Sequence, residues 1–319
     1  MDGERVGASG WGIEGGYADA DDTAVMGLLR NAPDATYLCS GTLIGENVVL
    51  TARHCVSDSP AIIACPGTEF GPTGAPTEMF ATTAQTMPTY PDDAYHAVSA
   101  VIVPDGEPAI CGRDVALLVL STPVDPAEAV PMHPALDAAV EPGKVYSAVG
   151  YGNTAPETNT SGSRYRRDDL VVDCVGPDCI PGFTWESEWV GNTGVCSGDS
   201  GGPALDAEQR AFGLVSRGGM NCDAPMYIDL FGWAEWIRSN TRESMAAAGL
   251  TPPAWTEPPA GTEPPAEGDE QDEGGCSLAA RTRTRGPRSA WWWLLPLPVL
   301  VRAVRTRRRR SAAAPTRTV

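Results

Sequence analysis

Residues 194–205 read GVCSGDSGGPAL and surround one serine, Ser200, with glycines at positions 198, 201 and 202. Small residues on both sides let a substrate backbone approach the hydroxyl and let backbone N–H groups point at a developing oxyanion. A serine hydroxyl alone is a poor nucleophile, because it needs a base within hydrogen-bond reach and that base needs an acid to fix its tautomer. The stretch therefore predicts a nucleophile whose partners lie elsewhere in the chain.

The chain order of these partners distinguishes two fold classes. Residues 198–202, GDSGG, also satisfy G-x-S-x-G, the nucleophile elbow of α/β-hydrolases, but that fold requires its histidine after the serine and the last histidine here is His133. With His54 upstream, in LTARHCV at residues 50–56, the order is His…Asp…Ser or Asp…His…Ser. Short apolar runs separated by Gly, Pro, Asp and Asn predict an all-β sandwich or barrel and favour the first order.

The acid is expected at the edge of a buried strand between His54 and Ser200. The segment CGRDVALLVL supplies Asp114 at such a position. We expect Ser200 to attack a carbonyl carbon, His54 to take and return the proton, and Asp114 to stabilise the imidazolium. The backbone N–H groups of Gly198 and Ser200 would hold the oxyanion.

The other histidines and the neighbouring cysteine have alternative interpretations. His96 and His133 are expected to be core or surface histidines. A metal site at His54 and Cys55 would require further nitrogen or sulfur ligands, and no such cluster accompanies them. We expect no metal and no cofactor.

The charge of the chain is divided sharply at Cys276. Twelve Lys and Arg and all 41 Asp and Glu precede it, whereas 11 Lys and Arg follow it. An acidic body argues against nucleic-acid binding, which needs a basic face toward phosphates. A basic end indicates a membrane or sorting role for the tail, so we expect membrane association only through it.

The cysteines indicate an oxidising compartment. Eight of the nine lie within residues 39–222, and no C-x-x-C pair is present. The beginning, MDGERVGASGWG, has no apolar core of a signal peptide, which conflicts with disulfide formation. We therefore expect the natural start of the protein to lie upstream.

Six segments in order resemble trypsin-like serine endopeptidases of the chymotrypsin family, over about residues 13–242. They are SGTLIGENVVLTARHC, DVALLVL, VGYG, GDSGGPAL, GLVSRG and MYIDLFGWAEWI. The resemblance implies two six-stranded antiparallel Greek-key barrels with the triad between them and a C-terminal helix, which fits the 3- and 4-residue apolar spacing in GWAEWIRSNTRESMAAA. It also implies an endopeptidase that hydrolyses protein or peptide substrates through an acyl-enzyme.

The same resemblance implies an activation step. IEGG at Ile13 is similar to the mature N-terminus of the family, whose free amine pairs with the carboxylate before the nucleophile, here Asp199. Residues 1–12 would be a propeptide or the remnant of a truncated N-terminus. Since Gly12 precedes Ile13, we expect an activating protease that is not trypsin-like.

Specificity residues are likewise implied by the resemblance. Gly194 occupies the base of the primary specificity pocket, so the absence of a carboxylate predicts small or apolar side chains before the scissile bond, unless Asp223 reaches into the pocket. Gly218 would form a pocket wall and Ser216 would bind substrate backbone.

Two arginines stand where the family usually has other residues. Arg217, where the family usually has an aromatic residue, would favour acidic substrate residues or be solvated. Arg53 replaces the family's usual alanine before the histidine, and we expect it to face outward.

Two disulfides carry over from the family pattern, Cys39–Cys55 and Cys196–Cys222. Three connectivities remain for Cys65, Cys111, Cys174 and Cys179. We expect Cys65–Cys111 and Cys174–Cys179.

The expected organisation is a protease domain at residues 13–246, a Pro/Glu/Gly-rich linker at 247–275 and a sorting tail at 276–319. The tail resembles the C-terminal sorting segment of myxobacterial surface proteins, with Cys276, an 11-residue apolar run at 291–301 and the cluster Arg307–Arg310. Processing near the cysteine by sorting machinery would leave the protein extracellular or on the cell surface; the alternative is a nonspecific basic tail. A second functional class is a protease-fold binding module that has lost catalysis, but this chain keeps all three candidate triad residues.

Overall fold

The computed structural model describes residues 13, 15–33, 35–60, 62–155, 159–219 and 221–257. The chain divides into two units, 1–264 and 265–319, and all described residues belong to the first. The predicted segment 1–12, most of the predicted linker and the tail with Cys276 lie outside the described residues.

Two closed antiparallel barrels form the described part of the chain. The strands of the first barrel are β2 (Val25–Asn31), β3 (Thr36–Gly45), β4 (Val48–Thr51), β5 (Met79–Thr82), β6 (His96–Ile102) and β7 (Ala116–Leu120). Those of the second are β8 (Val145–Gly150), β9 (Tyr165–Val175), β10 (Glu188–Gly191), β11 (Pro203–Leu205), β12 (Ala211–Arg217) and β13 (Met226–Asp229), with the short β1 (Tyr17–Ala18) added beside β9. The first barrel pairs its strands in the order β2-β3-β4-β7-β6-β5. In the second, β8 pairs with both β9 and β11, which closes the order β8-β9-β10-β13-β12-β11. The predicted all-β fold of two six-stranded barrels is confirmed.

Each barrel has its own apolar core. The first is built from aliphatic side chains such as Leu50 and Leu117, both fully buried. In the second, the Trp189 ring stacks on Tyr227 at 4.0 Å and on Phe212 at 5.6 Å between ring centroids. Short β-branched and aromatic runs form these strands because a pleated, half-buried surface suits such side chains.

A single helix follows the second barrel in the described chain, as predicted. A 3-10 turn at Leu230–Trp233 leads into α1 (Ala234–Ala247), and the Asp229 carboxylate caps this turn by accepting from Phe231 N at 3.0 Å. Among the described residues, no helix has the length and apolarity that crossing a membrane requires.

The described chain beyond α1 packs against the domain within the first part of the predicted linker. A 3-10 turn at Ala254–Thr256 packs against α1, where Arg242 Nη1 donates to Thr256 O at 2.7 Å. The Trp255 ring stacks on His133 at 5.9 Å between centroids. A tryptophan among prolines gives this segment enough apolar surface to dock, which the Pro/Glu composition concealed.

We expect Ile237→Ala to lower the free energy of unfolding by about 2–5 kcal/mol, because Ile237 is fully buried between α1 and the first core. Denaturant unfolding followed by tryptophan fluorescence measures the change. Glu243→Ala, at an exposed position of the same helix, is the control and should change the value by no more than about 0.5 kcal/mol. Equal losses in both variants would contradict the packing described.

Candidate active site

The pairing of β4 with β7 brings His54 and Asp114 together. The two strands are antiparallel, and Thr51 at the end of β4 lies opposite Ala116 at the start of β7. His54 follows β4 in a 3-10 turn, and Asp114 lies two residues before β7. Both residues therefore emerge at the same edge of the first barrel, although 60 positions separate them in sequence.

Asp114 is a buried carboxylate with three side-chain and backbone donors. It accepts from His54 N at 2.8 Å, from His54 Nδ1 at 2.7 Å and from Ser216 Oγ at 2.6 Å, and it is 0% exposed. Burial raises the pKa of a carboxyl group, but the charge and hydrogen bonds of His54 and the bond from Ser216 offset this, so the pKa of Asp114 is lowered. The bond at Nδ1 assigns the proton to that nitrogen, which leaves Nε2 free to act as a base.

Ser200 lies in the turn before β11 and lines two clefts together with His54. The clefts measure about 570 Å³ and about 300 Å³. Within the described residues, no hydrogen bond joins the Ser200 hydroxyl to His54, whose Nε2 lies 3.9 Å from Cys55 Sγ. Such bonds are often long in unliganded active sites and shorten when substrate binds.

The backbone around Ser200 supports the expected oxyanion site. In the described part of the chain, the N–H groups of Gly198 and Ser200 donate to no protein acceptor, so they remain available to a ligand. Gly201 has φ +81°, and a Cβ there would collide with Ser40 O and Thr51 Oγ1. Only glycine allows this close approach of the two barrels behind the nucleophile.

Ser40, on β3 of the first barrel, holds this turn in place and was missed by the sequence analysis. Its N–H donates to Ser200 O at 2.8 Å, and its hydroxyl donates to Gly198 O and accepts from Tyr151 N, both at 2.9 Å. It is fully buried. A serine inside an apolar strand gave no signal of this role, other than that a buried hydroxyl needs hydrogen-bond partners.

Asp199 is buried beside the nucleophile and accepts only backbone donors among the described residues. Gly152 N donates to Oδ1 at 2.7 Å and Cys196 N donates to Oδ2 at 2.8 Å. Burial raises the pKa of Asp199 to about 7, although these two bonds oppose the shift. Ile13 is fully buried in the core of the second barrel. The ion pair with Asp199 is predicted for a free amine at Ile13, whereas in the uncleaved chain this nitrogen lies in the peptide bond to Gly12.

The predicted specificity residues lie around the smaller cleft, with one exception. Ser216, Arg217 and Gly218 line it, whereas Gly194 is buried behind it. Gly194 has φ +110°, and a Cβ there would lie 2.9 Å from Leu170 Cδ1. A longer side chain at position 194 would therefore be strained, and Val195 supplies the cleft surface instead.

Two arginines differ from expectation. Arg53 is 8% exposed and its guanidinium carbon lies 4.5 Å from the centroid of the Phe70 ring, so the expected outward orientation is wrong. Arg217 is neither solvated nor free for substrate, because its guanidinium makes two hydrogen bonds, at 2.7 and 2.8 Å, to the buried carboxylate of Glu188. Sequence reasoning could not find Glu188 because its only signal was an acidic residue in an otherwise apolar strand.

The structure contains the four predicted disulfides, which are Cys39–Cys55, Cys65–Cys111, Cys174–Cys179 and Cys196–Cys222. The sulfurs of Cys39 and Cys55 lie within 4.8 Å of a His54 nitrogen, a spacing that a metal could bridge. The two sulfurs are joined in a disulfide, however, so neither is the thiolate that would bind a metal.

Comparisons with known proteins agree with this two-barrel arrangement. The family model Trypsin matches residues 13–237. The chain is 26% identical over 228 residues to the CLIP domain-containing serine protease B4 of Anopheles gambiae, covering 63% of this chain and 61% of that protein. It is 26% identical over 193 residues to a trypsin of Saccharopolyspora erythraea, covering 58% of this chain and 78% of that protein.

A solved structure described as that of GrC superposes with a TM-score of 0.56 at 21% identity, covering 72% of this chain and 99% of that chain, and it shows the fold alone. The fold is the two-barrel fold that is typical of the chymotrypsin class of proteases. By the family match over more than half of its length, the chain belongs to the trypsin family of serine proteases.

The raised pKa of Asp199 predicts that stability falls as pH rises from about 4 to about 7. In that window the folded state keeps a proton that the unfolded state has lost. Each pH unit between the two pKa values therefore lowers the free energy of unfolding by about 1.4 kcal/mol. Asp199→Asn should flatten this part of the dependence, measured by denaturant unfolding at several pH values. Asp93→Asn, at an exposed position, should leave the slope unchanged. An unaltered slope in Asp199→Asn would contradict the assignment.

Proposed function

We propose that the chain is a serine endopeptidase in which Ser200 attacks the peptide carbonyl, His54 transfers the proton and Asp114 stabilises the imidazolium. This proposal rests on the hydrogen bond of 2.7 Å between His54 Nδ1 and the buried Asp114 carboxylate. His54 and Ser200 also line the same clefts. Membership of the trypsin family supports protein or peptide substrates.

The reaction follows from the positions of these groups. Ser200 adds to the carbonyl carbon while its proton passes to Nε2 of His54, and the oxyanion is held by the free N–H groups of Gly198 and Ser200. The tetrahedral intermediate collapses to an acyl-enzyme as the imidazolium returns the proton to the leaving amine. His54 then takes a proton from water as the water attacks the acyl carbon, and it returns this proton to Ser200 Oγ as the bond to the acyl carbon breaks and the acid product leaves.

Activation is proposed to depend on cleavage before Ile13. The Ile13 side chain already lies in the core of the second barrel, but its φ of +30° is unusual for a β-branched residue. A new N-terminus there would provide a cation for Asp199, whose carboxylate accepts only from two backbone N–H groups among the described residues. Pairing would favour the ionised carboxylate that burial disfavours.

Secretion is typical of the family, and we propose that the Pro/Glu-rich segment and the tail with Cys276 display the domain on a bacterial cell surface through tail-processing sorting machinery. This proposal rests on composition, since the tail lies outside the described residues. Its contacts with a membrane would be confined to the tail.

A fluorophosphonate probe should label the chain cleaved before Ile13, and Ser200→Ala should abolish labelling. Asp114→Asn should slow peptide hydrolysis by about 10⁴-fold, because the histidine tautomer is no longer fixed. His133→Ala, which removes a histidine stacked on Trp255 away from both clefts, is the matched control and should label normally. Folded protein that never labels would favour the binding-module alternative.

We expect a peptide-library profile dominated by small or apolar residues before the scissile bond. Val195, Val215 and two glycines line the smaller cleft, and no carboxylate among the described residues does so. Asp223 is exposed and does not line that cleft. A profile dominated by Lys or Arg would refute this specificity, with Ser200→Ala as the control for contaminating proteases.

A further inference from the structure

The buried Glu188–Arg217 pair lies beside the candidate triad and has no assigned role. Arg217 Nη1 donates to Glu188 Oε1 at 2.8 Å and Nη2 donates to Oε2 at 2.7 Å. The Glu188 side chain is 0% exposed and that of Arg217 is 10% exposed. A guanidinium that meets both oxygens of a carboxylate fixes the orientation of both groups, so the pair is a rigid element.

Glu188 also holds the chain segment that leads into Asp114. Its Oε1 accepts from Gly112 N at 2.7 Å, and its Oε2 accepts from Trp185 N at 2.9 Å. Gly112 lies two residues before Asp114, and its carbonyl accepts from Ser187 Oγ at 3.1 Å. Hydrogen bonds to Glu188, at the start of β10, and to the neighbouring Ser187 therefore hold the segment that leads into Asp114.

Arg217 determines which way the Ser216 hydroxyl points. Arg217 Nη1 donates to Ser216 Oγ at 3.1 Å, and Ser216 Oγ donates to Asp114 Oδ2 at 2.6 Å. A hydroxyl has one proton, and a guanidinium has no acceptor, so the hydroxyl can only accept from Arg217 and must direct its proton elsewhere. A continuous hydrogen-bonded chain thus connects Glu188 to Asp114 and, through it, to His54.

The charges that face Asp114 come from several elements. Arg53 lies on the turn that carries the histidine, and burial and the like charge of Arg113 lower its pKa. Arg113 directly precedes Asp114, and Arg217 approaches from β12. Glu188, on β10, is the anion that balances Arg217. Removing either member of the pair would leave one uncompensated charge near the acid.

We propose that Glu188 and Arg217 are a positioning pair for the triad: Arg217 holds the Ser216 hydroxyl on Asp114, and Glu188 neutralises Arg217 so that its charge does not disfavour the imidazolium of His54. The proposal rests on the proposed function, since it assigns the pair's effect to the catalytic base. It replaces both sequence-based interpretations of Arg217.

Opposite charge changes should move the pH dependence in opposite directions. The acidic limb of the pH profile of kcat/KM reports protonation of His54. Glu188→Gln removes an anion, so this limb should shift to lower pH. Arg217→Met removes a cation, so the same limb should shift to higher pH. The double variant should return the limb toward that of the parent. In Arg217→Met and in the double variant kcat should fall about tenfold with KM little changed, because one orienting hydrogen bond is lost.

The same shifts should be visible without activity. In full-length Ser200→Ala protein, NMR titration of the three histidine imidazoles should show the half-protonation pH of His54 falling in Glu188→Gln and rising in Arg217→Met. Arg210→Met is the matched control. Burial and then the charge of Arg210 lower the pKa of His133, so this variant should move His133 and leave His54 unchanged.

Shifts of His54 in the same direction, or no shift, in folded variants would overturn the proposal, because a merely structural role predicts no charge-dependent sign. If Arg217→Met does not fold, Glu188→Gln and the charge-neutral double variant decide the sign. Parent protein cleaved before Ile13 that shows no hydrolysis or labelling would contradict the proposed function, and the NMR shifts would still test the pair.

Discussion

The burial of the Asp114 carboxylate is the constraint on which the candidate site depends. A carboxylate that is fully removed from water is costly unless donors satisfy it, and three donors do so here. Two come from His54 on the first barrel and one comes from Ser216 on the second. Satisfying one buried group therefore fixes the positions of the histidine, of the chain at the start of β7 and of the edge of the opposite barrel relative to one another.

Buried polar groups also cross between the barrels elsewhere. Ser40 connects β3 to the turn that carries Ser200. Arg164, which is 1% exposed, precedes β9 of the second barrel, pairs with Asp19 at 3.0 Å and donates to Val25 O of the first barrel at 3.1 Å. A displacement of one barrel would leave these buried groups without hydrogen-bond partners, which favours one arrangement of the two barrels.

The arginines near the site show how a strongly acidic chain uses its few cations. Arg53 packs on Phe70, and Arg217 is bound by Glu188. Neither is available to neutralise the acidic surface, and both lie within reach of the field at Asp114. The electrostatic potential at Asp114 and His54 therefore depends mainly on a small number of nearby buried charges, because salt screens the distant charges of the acidic surface.

The strand patterns were enough to predict an all-β fold, and the apolar spacing near the end of the domain predicted a closing helix. The order of His54, Asp114 and Ser200, with the glycines around Ser200, predicted the candidate triad. Hydrophobic periodicity and local backbone requirements can be read from neighbouring residues, whereas the two six-stranded barrels were implied by the resemblance to the chymotrypsin family. The partners of Arg53, Arg217, Ser40 and Glu188, and the docking of Trp255, were not predictable. Each depends on which groups meet across strands distant in sequence, and on whether a charge is buried or solvated. A charged side chain in a sequence is most often solvated, and only the packed structure shows which ones must find a partner.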